Sequence, residues 1–157
     1  MKQEGIKIIA RNRKAGFDFF LEDKYEAGLV LTGSEIKSIR DHHISIAEGF
    51  VQEQNGEMWL LGVNITPYKQ SGTYGYVEPV RPRKLLLRKR EIAQIITRMH
   101  ERGFTCVPTM IYLRKGRAKV EIALAKGKKL YDKRDDIAKR DQEREIRKIL
   151  KEGQYQD

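Results

Sequence analysis

The sequence predicts a mainly β domain: a small antiparallel β-barrel with flanking helices, followed by a charged C-terminal tail. Three observations carry this expectation. Two pairs of strand-like runs meet across tight-turn dipeptides, Asn55-Gly56 and Lys115-Gly116. The segment Glu91 to Arg102 has clear helical periodicity. The composition also changes abruptly near residue 126. Barrel closure would remove exposed sheet edges; an open α+β sandwich is the alternative arrangement.

Taken in order, Phe17 to Leu21 is short and aromatic, as strands are. Ala27 to Leu31 is a compact apolar run entered at Gly28. A helix is expected from Ser34 to Arg40, with Ile36 and Ile39 on one face and Ser34 as the N-cap. Gly49 to Gln54 and Glu57 to Ile65 flank Asn55-Gly56, a pair suited to a turn in which both positions need φ > 0. Lys69 to Glu78, with Ser71-Gly72-Thr73-Tyr74-Gly75, reads as a loop. In the helix over 91–102, Ile92, Ile95, Ile96 and Met99 fall at i, i+3, i+4 and i+7, and Gly103 follows. Phe104 to Leu113 and Arg117 to Leu124 form the second hairpin. In its second strand Val120, Ile122 and Leu124 alternate with Glu121 and Ala123.

The chain divides into a body, residues 1–125, and a tail, residues 126–157. Of the net charge of +10, the tail holds 11 Lys/Arg against 8 Asp/Glu, so most of the excess lies on the body. Within Tyr131 to Glu152 fifteen of 22 residues are charged and only Ile146, Ile149 and Leu150 form an apolar patch. Opposite charges recur at i,i+4, as in Asp135–Lys139, Glu143–Arg147 and Lys148–Glu152, each worth about 0.2–0.5 kcal/mol to a helix. Such a segment is expected to be disordered when free and helical only when bound.

Catalysis finds little support. No apolar run approaches the ~18 residues needed to span a bilayer. The first residues show no secretory signal, and a single cysteine, Cys106, precludes an internal disulfide; a cytoplasmic compartment is expected. Cys106 lies in an apolar strand pattern and reads as a core thiol. His42 and His43 could serve a nuclease with Glu35 or Glu48, but no metal-binding or nucleotide-binding motif accompanies them. No enzyme activity, cofactor or metal is expected.

Basic clusters are the stronger signal. Arg81 to Arg90 holds six basic residues and no acid, and Arg114 to Lys119 and Lys126 to Arg134 follow. Arg11, Arg13 and Lys14 add an N-terminal arm. Lys and Arg suit phosphates, whose neutralisation releases counterions. Tyr68, Tyr74, Tyr76, Tyr112 and Tyr131 lie among them. Of these, Tyr131 is the best placed to stack on a base, whereas Tyr112 reads as a strand residue. RNA binding is thus favoured, and a resident rRNA-binding protein or an RNA-processing factor would also fit these clusters.

Five separated blocks resemble the SmpB family, the bacterial SsrA-binding proteins. They are Tyr25-Glu26-Ala27-Gly28, residues 33–40 (Gly-Ser-Glu-Ile-Lys-Ser-Ile-Arg), Asn64-Ile65-Thr66-Pro67-Tyr68, Arg83-Lys84-Leu85-Leu86-Leu87 and residues 127–134 (Gly-Lys-Lys-Leu-Tyr-Asp-Lys-Arg). The resemblance implies an oligonucleotide-binding (OB-like) β-barrel with two or three helices. It also implies binding to the tRNA-like domain of transfer-messenger RNA (tmRNA) and entry into stalled ribosomes, the process called trans-translation. The tail would enter the empty mRNA channel of the small subunit, against 16S rRNA. Elongation factor Tu, carrying alanyl-tmRNA, would be the delivery partner, and a monomer is expected.

Residue by residue, the resemblance ties Glu26, Leu86 and Lys119 to tmRNA binding. The basic side chains Arg11, Lys14, Arg83 and Lys84 join them as RNA-contact candidates. Gly127, Lys128, Lys129, Tyr131, Asp132, Lys133 and Arg134 match the base of the ribosome-binding tail. Tyr131 stands where some members carry a histidine whose ring stacks on a decoding-centre base. Ile149 and Leu150 match an apolar pair used in the channel.

Overall fold

The computed structural model describes residues 5–67 and 78–154, with backbone alone for residues 130–132 and 151–154. The strands are β1 (Ile6–Arg11), β2 (Phe19–Leu29), β3 (Ile44–Ser45), β4 (Phe50–Gln54), β5 (Glu57–Leu61), β6 (Asn64–Ile65), β7 (Arg83–Leu86), β8 (Phe104–Arg114) and β9 (Arg117–Gly127). The helices are α1 (Arg13–Asp18), α2 (Gly33–Arg40), α3 (Lys89–Met99) and α4 (Leu130–Gln154). Seven strands form one antiparallel sheet in the order β1-β8-β9-β2-β7-β5-β4, and β3 pairs with β6.

The sheet is open, where the sequence predicts a closed barrel. It curls until β4, at one edge, packs against β8 near the other. The ladder cannot close there, because β8 already pairs on both sides, with β1 and β9. The architecture is therefore an OB-like, incompletely closed β-barrel.

Both expected hairpins form. Asn55 and Gly56 have φ of 53° and 80°, and Lys115 and Gly116 of 52° and 76°, the left-handed conformations that match the twist of the flanking strands. The long β8–β9 hairpin carries a register shift at Pro108, which has no N–H to give the ladder. Met58, Leu60, Leu85, Ile111, Val120, Ile122 and Leu124 fill the inner face, joined by Ile39 of α2 and Ile95 of α3.

Several local expectations are corrected. Phe17 and Asp18 close α1 rather than opening a strand. The two short runs at Phe17–Leu21 and Ala27–Leu31 merge into the single strand β2. The N-cap of α2 is Thr32, not Ser34: its Oγ1 accepts from the Glu35 N–H at 3.2 Å, and Glu35 Oε1 accepts from the Thr32 N–H at 2.9 Å. Two further strands, β1 and β7, lie outside the expected set, β7 within the basic stretch 81–90. Ala123 and Ala125 are as buried as their alternating neighbours. The reason for Ala125 is α1, which packs Ala15 on it and Val107 from the sheet's other face. Asn12 caps that helix from a buried position; its Oδ1 accepts from Ala15 N–H, and its Nδ2 donates to Pro108 O at 2.8 Å.

The tail is a continuous helix, α4, in this structure. Its side chains over residues 137–150 are exposed, so beyond its first turns little but its own i,i+4 pairs supports it. No helix among the described residues is long and apolar enough to cross a membrane.

Candidate nucleic-acid interface

Strand alternation decides what the outer face of the sheet shows. Ala27, Leu85 and Val120 point into the core, so Gly28, Leu86 and Lys119 point out. Register then aligns these three: Gly28 pairs with Leu86 on β7 and with Lys119 on β9. Lys119 pairs in turn with Tyr112, and Tyr112 with Ile8. Gly28 leaves the floor of this row open. A Cβ there would stand 3.3 Å from Leu86 Cβ, closer than side chains comfortably pack. The result is a groove of about 610 Å³ lined by Glu26, Leu86, Arg88, Glu91, Arg114 and Lys119.

The groove is polar, with three basic side chains, Arg88, Arg114 and Lys119, against the two carboxylates Glu26 and Glu91. Arg114 Nη1 lies 3.0 Å from Glu26 Oε2, which holds the guanidinium at the rim. Burial and the Glu26 carboxylate push the Tyr112 phenol well above its ordinary range, so it stays protonated. Among the described residues no carboxylate pairs with Lys119, which leaves its ammonium available to an anion. Leu86 is 53% exposed, an apolar side chain presented to solvent beside these charges. The cleft continues past Glu26, Arg114 and Met110 to Arg11 and Arg13 at the end of β1.

Three RNA-contact candidates sit elsewhere. Arg83 is not on the surface; at 1% exposure it is a core residue. Its Nη2 donates to Glu35 Oε2 at 2.7 Å, its Nε to the same oxygen at 2.8 Å and its Nη1 to Val63 O at 2.6 Å. Arg81 closes the other Glu35 oxygen. Burial alone would raise the Glu35 pKa, but hydrogen bonds from Arg81, the Thr32 N–H and Arg83 outweigh it and hold the carboxyl below its ordinary value. Lys84, next along β7, faces outward with Nζ 3.2 Å from Glu57 Oε1. Lys14 lies on α1, 2.7 Å from Glu48 Oε1, and does not line the groove.

A second basic group surrounds the base of the tail. Gly127 pairs with Phe19 at the end of β9. Lys128 donates to Gly16 O at 3.1 Å, pairs with Asp136 and stands 5.1 Å from the Phe20 ring. Lys133 Nζ is 3.2 Å from Asp18 Oδ1, and Arg140 stacks over Phe17 at 5.3 Å. The first turns of α4 are thus seated on α1. Arg134, Ile149 and Leu150 are exposed. The side chains of Tyr131 and Asp132, together with Tyr68, Tyr74 and Tyr76, lie outside the described residues.

Of the carboxylates considered for a nuclease, Glu48 pairs with Lys14. Glu35 is committed to two arginines, and His42 Nδ1 lies 3.2 Å from Ile9 O. Burial pushes the Cys106 thiol up to about 12, far from a reactive thiolate. Sequence reasoning placed Arg88 and Arg114 in basic clusters but missed the Glu26–Arg114 pair, which the register of β2, β8 and β9 brings together. Phe17, expected in a strand, lies instead in α1 beside Lys133 and Arg140, while Phe20 stands in β2 as expected.

A family model described as SmpB protein matches residues 9–152. The chain belongs to the SmpB family. Its similarity to SmpB relatives runs nearly end to end. It is 56% identical to the SsrA-binding protein of Roseiflexus sp. (strain RS-1), over 93% of this chain and 92% of that one. It is 51% identical to the SsrA-binding protein of Halothermothrix orenii, over 98% and 99%. A solved SmpB-related structure, described as "tmRNA-SmpB: a journey to the center of the bacterial ribosome", matches with a TM-score of 0.65 at 39% identity. That match covers 77% of this chain and 85% of the other.

Proposed function

We propose that this protein is a non-catalytic RNA-binding adaptor that grips the tRNA-like domain of tmRNA and carries it to stalled ribosomes for trans-translation. Family membership supports the role. The observation that carries it to particular residues is the groove itself: Glu26, Leu86 and Lys119, distant in sequence, line one basic cleft. In this reading Lys119, Arg88 and Arg114 meet phosphates, Leu86 packs against a base or ribose, and Glu26 positions Arg114. Arg11 and Lys84 extend the contact at either side; Arg83 acts from within, by anchoring β7.

The tail, residues 126–157, reads the ribosome. Lys128, Lys129, Tyr131, Asp132, Lys133 and Arg134 meet 16S rRNA near the decoding centre, and Ile149 and Leu150 engage the vacant mRNA channel. An exposed, mixed-charge helix is marginal alone, so contacts in an empty channel offset its ordering entropy. An occupied channel leaves no room for it, and the distinction is steric. The protein acts as a monomer in the cytoplasm, delivered with alanyl-tmRNA by elongation factor Tu.

The test is RNA binding to the tRNA-like domain across a salt series. Log affinity should fall with log salt by roughly 0.7–0.9 per phosphate neutralised. A flat response would remove the phosphate-binding groove from the account.

A further inference from the structure

The same outward-facing register that builds the groove places one large aromatic beside it. Trp59 lies on β5 between Met58 and Leu60, both fully buried, so its indole is on the outer face. It is partly exposed and, among the described residues, belongs to neither apolar cluster of the body. Across the sheet Trp59 pairs with Gln52 of β4 and with Lys84 of β7. Val30 follows in the same row; its N–H donates to Lys84 O at 3.1 Å, and its side chain is exposed. One row over, on the same face, stand Leu86 and Gly28, the floor of the groove.

We infer that Trp59 is a base-stacking residue, and that the RNA surface extends from the groove across β7 onto β5 to take an unpaired nucleotide. A structural role would seat the indole in a packed cluster, but its row neighbours are Gln52, Lys84 and Val30. The indole face offers stacking to any base, and Lys84, whose Nζ lies 3.2 Å from Glu57 Oε1, supplies a cation for the phosphate beside it by exchanging that exposed carboxylate for the phosphate. The strip is continuous with a basic groove on a chain of net charge +10, which favours a polyanion over an apolar protein partner. Folded RNA presents such bases where loops splay them out. This inference rests on the RNA-binding reading above and adds a second recognition point to it.

Trp59 is the sole tryptophan of the chain, so the protein carries its own reporter. Intrinsic fluorescence of the full-length protein is titrated with the tRNA-like domain of tmRNA, and the affinity is measured separately by filter binding. Stacking quenches the emission with the same midpoint as the filter curve. Trp59→Ala then weakens binding roughly 5- to 100-fold, while Trp59→Phe keeps most of the affinity, and both melt near the wild type. Tight binding with unchanged emission and a neutral Trp59→Ala overturns the inference and leaves the RNA-binding reading standing. No binding by the wild type overturns both. A Trp59→Ala variant that binds RNA normally but fails to associate with a protein of the ribosome assigns the strip to protein docking and overturns it as well. If Trp59→Ala unfolds, the fluorescence titration and the Phe variant decide.

Discussion

Replacing Glu35 by glutamine removes one negative charge from a buried site that holds two guanidinium groups. Glu35 and Arg83 are almost wholly inaccessible, and Arg83 spends its remaining donors on Val63 O and Pro79 O. Breaking a buried pair by removing one partner costs about 3–5 kcal/mol, because the other charge is left uncompensated. For a domain of this size each kcal/mol moves Tm by about 2–4 °C, so Glu35→Gln should melt roughly 6–20 °C below the wild type. Arg81→Ala should cost about 1 kcal/mol, since that arginine is partly exposed and the carboxylate keeps Arg83. Thermal and urea unfolding followed by circular dichroism measures both, with the urea m-value unchanged if the transition stays two-state. The pH dependence has a definite sign. The folded-state pKa of Glu35 is depressed, so its contribution is full above the unfolded value near 4.5 and is lost as pH falls through the folded value. The gap between wild type and Glu35→Gln must therefore narrow in acid. A loss below 1 kcal/mol at neutral pH, or a gap that widens on acidification, would refute the reasoning.

Four further outcomes follow from the interface and the tail. Lys119→Ala should weaken RNA binding roughly tenfold and lower the salt slope by about one phosphate, with Tm unchanged; a parallel loss of Tm would make the residue structural. Gly28→Ala should force Leu86 aside and weaken RNA binding several-fold, while stability stays within about 0.5 kcal/mol of wild type; filter binding that matches wild type would show the groove floor plays no part. Truncation after Arg134 should leave RNA affinity within about twofold while abolishing ribosome rescue, because the groove's electrostatics fall off within a Debye length of ~10 Å. Amide exchange in the free full-length protein should be fast beyond Arg140 and slow in β8 and β9. Protection along residues 141–150 would show a tail already ordered before the ribosome is met.

What could be read from the sequence was whatever depended on neighbours along the chain. Asn55-Gly56 and Lys115-Gly116 fixed two hairpins because their turn chemistry is local. The i, i+3, i+4, i+7 spacing of Ile92 to Met99 located α3 for the same reason. The errors lie where tertiary contact overrides local pattern. Arg83 sits in the most basic stretch of the chain and was assigned to phosphate, yet Glu35, 48 positions earlier, draws it inside. Whether β7 faced inward at odd or even positions could not be read from five residues that are all basic or apolar. Ala123 alternates with the inward residues of β9 and by pattern alone belongs to the solvent side, yet it is fully buried. The groove's three family residues are identified by resemblance and Arg88 and Arg114 lie in basic clusters, whereas their convergence, and the place of Gly28 at the floor, emerge only from the fold.

Register is also what joins stability to function in β7. Its four residues alternate, Arg83 and Leu85 inward, Lys84 and Leu86 outward. A slip by one residue would place Leu86 and Lys84 inside and pull Arg83 away from Glu35, exchanging a satisfied buried ion cluster for an unpaired buried lysine. The Glu35–Arg83 cluster is therefore more than a weld between α2 and the sheet. By making every other register costly, it fixes which side chains of β7 face the groove. Glu35→Gln should accordingly lower RNA affinity under conditions where the protein is still fully folded, and by more than Arg81→Ala does. A folded Glu35→Gln variant with undiminished affinity would separate the two roles, leaving the cluster to stability alone and the aim of Leu86 to the Gly28 and Lys119 pairing.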